Sequence, residues 1–242
     1  MLISLHVNLW FALVCLLLFQ RPPTHTVSIL DNSVLQPTVA ITITESSVFT
    51  LPQTANLSPP NSMTLIKSVS VPGNPVSVNS DGKSVYVGSE GQCTLLQLDD
   101  MLSRQQVFIH LSNYATSVHF YTNELYVWLA NQGLIAIYDL SGRLMRSWKH
   151  SCASKDFNKL RVVSNKVVVS SSQDRALTVY DLQGQLVKQI KCPGISDNWK
   201  AMAVCGDDSV IVSDSGTNSV FRVNIDRGGV MWTSKHVKQP EG

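Results

Sequence analysis

Val85-Tyr86-Val87-Gly88-Ser89, Leu125-Tyr126-Val127-Trp128-Leu129, Val167-Val168-Val169-Ser170-Ser171 and Val210-Ile211-Val212-Ser213-Asp214 read as one strand written four times. Their central valines, Val87, Val127, Val169 and Val212, are spaced by 40, 42 and 43 residues. In the last three copies a second strand follows at a nearly fixed delay: Ile135 to Asp139, Thr178 to Asp181, and Phe221 to Asp226. Each runs into a turn with glycine, at Ser141-Gly142, Gln183-Gly184 and Arg227-Gly228-Gly229. Glycine supplies the positive φ that tight hairpins need. Strands are short and β-branched, turn signals recur about every ten residues, and no window holds the helical period over three turns. A unit of forty-odd residues with four antiparallel strands has the size of one β-propeller blade. The predicted fold is therefore all-β: a partial propeller of about four four-stranded antiparallel blades over residues 65–242. A two-sheet sandwich would need no such repeat.

Working outward, Leu65 to Gly73 (LIKSVSVPG) matches Leu186 to Gly194 (LVKQIKCPG) at Leu, Lys, Pro and Gly. The second copy is the outermost strand of a blade, so the first should be one too, with its three inner strands missing upstream. In closed propellers such an orphan completes the last blade. Gln239-Pro240-Glu241-Gly242 looks like the opening of a further repeat. The expectation is a chain truncated from about six blades. Residues 22–64 are rich in Ser, Thr and Pro and read as a linker that buries too little to fold alone, with a short strand possible around Val39 to Ile43. Asn56-Leu57-Ser58 is a glycosylation sequon of small weight. Residues 1–21 are apolar, with an unbroken run from Leu9 to Phe19. Its length suits a signal-peptide core or a short anchor, yet no basic n-region or small-residue cleavage site accompanies it.

Composition narrows the function classes. Hydrophobic residues make up 44% of 242, enough for a sizeable core, and charged residues only 15%. The net charge of +2 by itself predicts no nucleic-acid partner and no acidic tail, and no DNA partner is expected. Cys15, Cys93, Cys152, Cys192 and Cys205 form no CxxC pair and read as small buried hydrophobes. The six histidines include no HxH or HExxH pair, and His119, between Val118 and Phe120 on a strand, reads as structural. No nucleophile elbow and no Walker or dinucleotide loop is present. No cofactor and no catalytic residue is expected. The rival reading, a secreted or anchored propeller hydrolase, would place Asp214, Asn218, Asp207 or Asp208 around a channel metal such as Ca²⁺. Asp139, Asp181 and Asp226 precede the glycine turns and read as turn-formers.

One surface feature remains. Between Arg143 and Lys166 stand seven basic residues and one acidic residue, Asp156, a local net charge of +6. In a four-stranded meander the links between blades share a face with the loops joining second and third strands. Lys155 and Lys159 lie on such a link and Arg175 on such a loop, so the three are the candidate binding surface, suited to phosphates or an acidic protein segment.

Val212 to Val223 (VSDSGTNSVFRV), together with the Ser80-Asp81-Gly82 turn and the Pro240-Glu241-Gly242 opener, resembles the NHL repeat. The match is good in the last repeat and looser before it, where Ser89, Leu129 and Ser171 stand in place of Asp214. NHL propellers form the C-terminal part of many tripartite-motif ubiquitin ligases. The resemblance implies a cytoplasmic substrate-recognition or RNA-binding module. Ligase activity would need RING and B-box clusters absent from this chain. The expected partner is a protein, with RNA as a sub-case, and a membrane only through residues 1–20.

Overall fold

The computed structural model describes residues 26–31, 40–43, 64–99, 102–150, 158–171 and 174–235. Four antiparallel four-stranded sheets form a four-blade β-propeller, and no helix occurs among the described residues. The first blade is β4 (Asn74–Ser80), β5 (Ser84–Glu90), β6 (Thr94–Asp99) and β7 (Gln105–His110). The second is β8 (Ala115–Tyr121), β9 (Glu124–Leu129), β10 (Leu134–Asp139) and β11 (Leu144–Lys149). The third is β12 (Leu160–Val163), β13 (Lys166–Ser171), β14 (Ala176–Asp181) and β15 (Leu186–Lys191). The fourth is β16 (Trp199–Val204), β17 (Ser209–Asp214), β18 (Ser219–Asn224) and β19 (Gly229–Ser234). Within each blade neighbours in sequence are neighbours in the sheet. The first strands β4, β8, β12 and β16 lie innermost, each beside the next.

The strand quoted four times is the second strand of each blade, and it is buried on both faces. Period-two alternation sends successive side chains to opposite neighbours. Leu125, Val127 and Leu129 meet Tyr86 and Leu95 of the first blade. Tyr126 and Trp128 between them meet Leu160, Val162, Val167 and Val169 of the third. Val168 joins Val210, Val212 and Phe221 of the fourth. A strand so placed needs apolar side chains without interruption, which is why it is the most legible part of the sequence.

The hairpin at the inner end of each blade is local chemistry. Thr122-Asn123 and Ser164-Asn165 carry positive φ at both positions, the signature of a type I′ turn. In the first blade Asp81 accepts the N–H of Lys83 and Ser84 at 2.8 and 2.6 Å. Between third and fourth strands, Asp139 accepts from Ser141 N and Arg143 N, and Asp181 from Gln183 N and Gln185 N. The expectation for Asp226 is corrected. The register aligns Tyr138 and Tyr180 with Val223, so Asn224 holds the equivalent place and accepts Arg227 N at 2.7 Å. This turn is one residue longer, and Asp226 instead pairs with Lys166 at 2.7 Å.

A fifth sheet precedes the blades, with order β2 (Ala40–Ile43), β1 (Thr26–Asp31), β3 (Thr64–Ser70). The segment read as a linker thus holds two strands, and β3 is an outer strand of that sheet, paired with β1 rather than with the far end of the chain. Val69 and Val71 cover Val85, Val87, Leu96 and Leu98 on the first blade's outer face. Alternation at Val27 and Ile29 was hidden among polar neighbours, and β3 offers it an edge to pair with. The apolar stretch 1–21 and the sequon Asn56 lie outside the described residues.

Candidate binding site at the inner strand edges

Each innermost strand has one edge bonded to its own blade and one edge facing the axis. An open strand edge leaves N–H groups without partners. The first blades solve this with side chains from the blade before. Ser77 Oγ accepts Val118 N and Asn79 Oδ1 accepts Phe120 N, both at 2.8 Å. One repeat later Ser117 Oγ accepts Leu160 N at 3.0 Å and donates to Leu160 O at 3.2 Å. His119 stands where Asn79 stood and reaches the backbone of Val162, the equivalent of Phe120. Burial and then the neighbouring Arg161 charge push His119 down to about 3, so its ring is neutral, and its Nδ1 is buried without a partner.

In the third blade the same two positions carry Lys159 and Arg161. Lys159 is 5% exposed and its ammonium donates to Thr116 O at 3.4 Å. Arg161 curls back to Ser117 Oγ at 3.2 Å and Leu160 O at 2.6 Å. No carboxylate lies within ion-pairing distance of Arg161 among the described residues. The axis is thus lined by two cations here. Sequence reasoning passed over Arg161, although its spacing of two from Lys159 on a strand marks a shared face.

Of the three residues of the expected surface, two fall among the described residues. Lys155 lies outside the described residues. Lys159 is packed at the inner edge, because its position points at a neighbouring blade rather than at solvent. Arg175 is exposed in the β13–β14 turn, with φ of 49°. Three of the seven basic residues behind the local charge of +6 are also paired with carboxylates in three dimensions. Arg146 makes a bidentate pair with Glu124, both bonds 2.7 Å, and donates to Leu182 O of the next blade. Arg143 pairs with Asp139 and Lys166 with Asp226. The opposing carboxylates were distant in sequence or outside the basic run.

The carboxylates named for a channel metal are not gathered either. Asp208 and Asp214 occupy opposite ends of β17, roughly 20 Å apart at 3.3 Å per residue. Asp208 accepts from Ser209 Oγ and Asn224 Nδ2, and those bonds hold its carboxyl below the usual range. Asp207 accepts Ser164 Oγ through its backbone carbonyl. Asp214 is buried and accepts from Ser196 N, Ser196 Oγ, Gly216 N and Thr217 Oγ1. Asn218 sits in the same turn with φ of 50°. Among the described residues no cluster of three His, Cys, Asp or Glu side chains has the makings of a metal site. A buried polar group also lies between the second and third blades. His150 Nδ1 and the Tyr180 hydroxyl share a hydrogen bond of 2.6 Å, with Trp128 edge-on to the imidazole.

No family model and no curated protein matches the chain. Solved structures do. The computationally designed protein Ika8 is similar over 69% of this chain and 50% of its own, with TM-score 0.52 and 18% identity. A streptogramin B lyase is similar over 67% and 55%, with TM-score 0.56 and 11% identity. The chain therefore spans about half the length of the structures it resembles. At these identities the likeness is one of fold, the β-propeller.

Proposed function

We propose that this chain is a non-catalytic binding scaffold whose partner is a protein. The observation that carries this reading is the placement of Lys159 and Arg161 at the axis, where a channel hydrolase holds carboxylates around a cation. Two positive charges repel a divalent ion from that place. The carboxylates that remain serve turns, Asp214 through four hydrogen bonds. The resemblance of Val212 to Val223 to the NHL repeat supports the same reading, since such propellers recognise substrates for tripartite-motif ubiquitin ligases. Ligation itself would belong to RING and B-box domains. With Lys159 packed away, the exposed basic face that favoured RNA is reduced to Arg175 among the described residues of the proposed surface.

The reading is tested by offering the purified chain lactones and aryl esters with calcium chloride. The expected result is hydrolysis at the buffer rate and a Tm unmoved by calcium. Turnover above that rate, or a calcium-dependent rise in Tm, overturns it.

A further inference from the structure

The seams between blades differ in what they bury. The first and second blades meet through residues such as Tyr86, Leu95, Leu125 and Val127, and the third and fourth through Val168, Leu177, Met202 and Phe221. Neither cluster contains a histidine. The seam between the second and third blades has two. His119 reaches across it to the Val162 backbone, and its Nδ1 is buried without a partner. His150 is 4% exposed, shares a hydrogen bond through Nδ1 with the Tyr180 hydroxyl, and has a buried Nε2 without a partner. The indole N–H of Trp128 is buried unpaired at the same seam, as is the hydroxyl of Thr178, two residues before Tyr180 on the same face of β14. Unmet polar groups weaken a packed interface. Protonation turns both nitrogens of an imidazole into donors. At His150 the Tyr180 hydroxyl can accept from Nδ1, but Nε2 meets no acceptor. At His119 the new donor is Nδ1, which meets none either. Arg161 on β12 opposes a charge on His119, and Tyr126, its register partner on β9, is already bonded to Glu124 and Arg146. Around His150, Tyr180 and Trp128 pack on the ring, and Asp174 favours a charge there less than burial disfavours it.

We propose that this seam is an acid-operated joint: when His119 and His150 take up protons, the first two blades part from the last two, each pair keeping its own core. In the closed seam His119 is held down to about 3 and His150 below its ordinary value. Once the seam parts, both return toward 6.5, so the open form binds more protons and gains population as pH falls through that window. The cores of the two pairs hold no histidine and do not respond in this way. The faces uncovered by opening carry Tyr126, Trp128, Leu160 and Val169.

Hydrogen exchange on the full ¹⁵N-labelled chain tests this, because equivalent amides report on adjacent seams. Leu160 N donates to Ser117 Oγ across the seam in question, and Val118 N to Ser77 Oγ across the one before it. Between about pH 7.5 and about pH 4.5, protection of the Leu160 amide, corrected for intrinsic exchange, should fall at least about ten-fold. Its exchange should also depend less steeply on urea than that of Val118, since parting one seam exposes less surface than unfolding the chain. The double variant H119N/H150Q keeps hydrogen-bonding side chains at both places and should abolish the fall. His110→Asn, at an exposed histidine on β7, should leave it in place. The urea comparison needs only the wild type, so it decides the matter even if the double variant fails to fold. A Leu160 amide indifferent to pH, equal urea dependence of the two amides, or an undiminished fall in a folded double variant overturns the proposal.

Discussion

Gly184 shows how much one position carries. Its φ is +90°, in the region that costs little only for glycine, and a Cβ there would lie 2.6 Å from Cε3 of Trp148 on the preceding blade. Gly142 rests in the same way on Phe108 and Ile109, and Gly228 near Lys188 and Ile190. Gly184 is thus needed twice, for the backbone and for the seat on the neighbouring outer strand, and Gly142 nearly so at 3.3 Å from Phe108 O, whereas at Gly228 only the backbone asks for glycine. Gly184→Ala should cost about 3 kcal/mol, combining overpacking with the strained φ. Urea unfolding measures it, and a loss below about 1 kcal/mol would mean that Trp148 moves aside freely. Sequence reading found these glycines through their turns. The Trp148 contact was out of reach, because it joins residues 36 apart on different blades.

At the scale of the strand, the inner edges trade polar side chains between blades. His119 is the titratable member of that exchange, packed near Arg161 and the Val162 backbone, with no carboxylate among its causes of shift. Its folded value is about 3 and its unfolded value about 6.5, so between them the unfolded chain holds a proton that the folded chain does not. Stability must then rise with pH across that window, by at most about 1.4 kcal/mol per unit from this residue, and level off above it. His119→Asn copies Asn79, keeps a hydrogen-bonding side chain in place and removes that slope. His150, also held below its ordinary value by burial, contributes a slope of the same sign. Urea midpoints at several pH values check this, and an unchanged slope in the variant would refute it. The second strands of the blades were legible because both faces are apolar. The inner strands were less so, since Ser77, Asn79 and Ser117 look like surface residues until the next blade is beside them, and only His119 reads as structural from its apolar neighbours. Strands β1 and β2 were obscured by their Ser- and Thr-rich surroundings.

Across the whole molecule the outer strands carry the exposed apolar side chains. Leu144 and Met145, Leu186 and Val187, and Met231 and Trp232 recur on β11, β15 and β19. They touch solvent, so their replacement should leave the fold intact. Leu186→Lys, at a side chain 60% exposed, should change stability by less than about 0.5 kcal/mol and lower self-association at high concentration, as light scattering would show. A marked loss of stability would mean that the outer strands are covered in the free protein. No core cluster joins the first blade to the fourth among the described residues; each cluster links consecutive blades or covers an end. The serine and asparagine caps also run one way, from the first blade to the second and from the second to the third. The modules therefore have heads and tails and are not interchangeable beads. A gene rearranged so that residues 158–191 preceded residues 115–149 would present two cations to Val118 and Phe120, and the ring would be mis-stitched at that seam although every blade within it kept its own sheet.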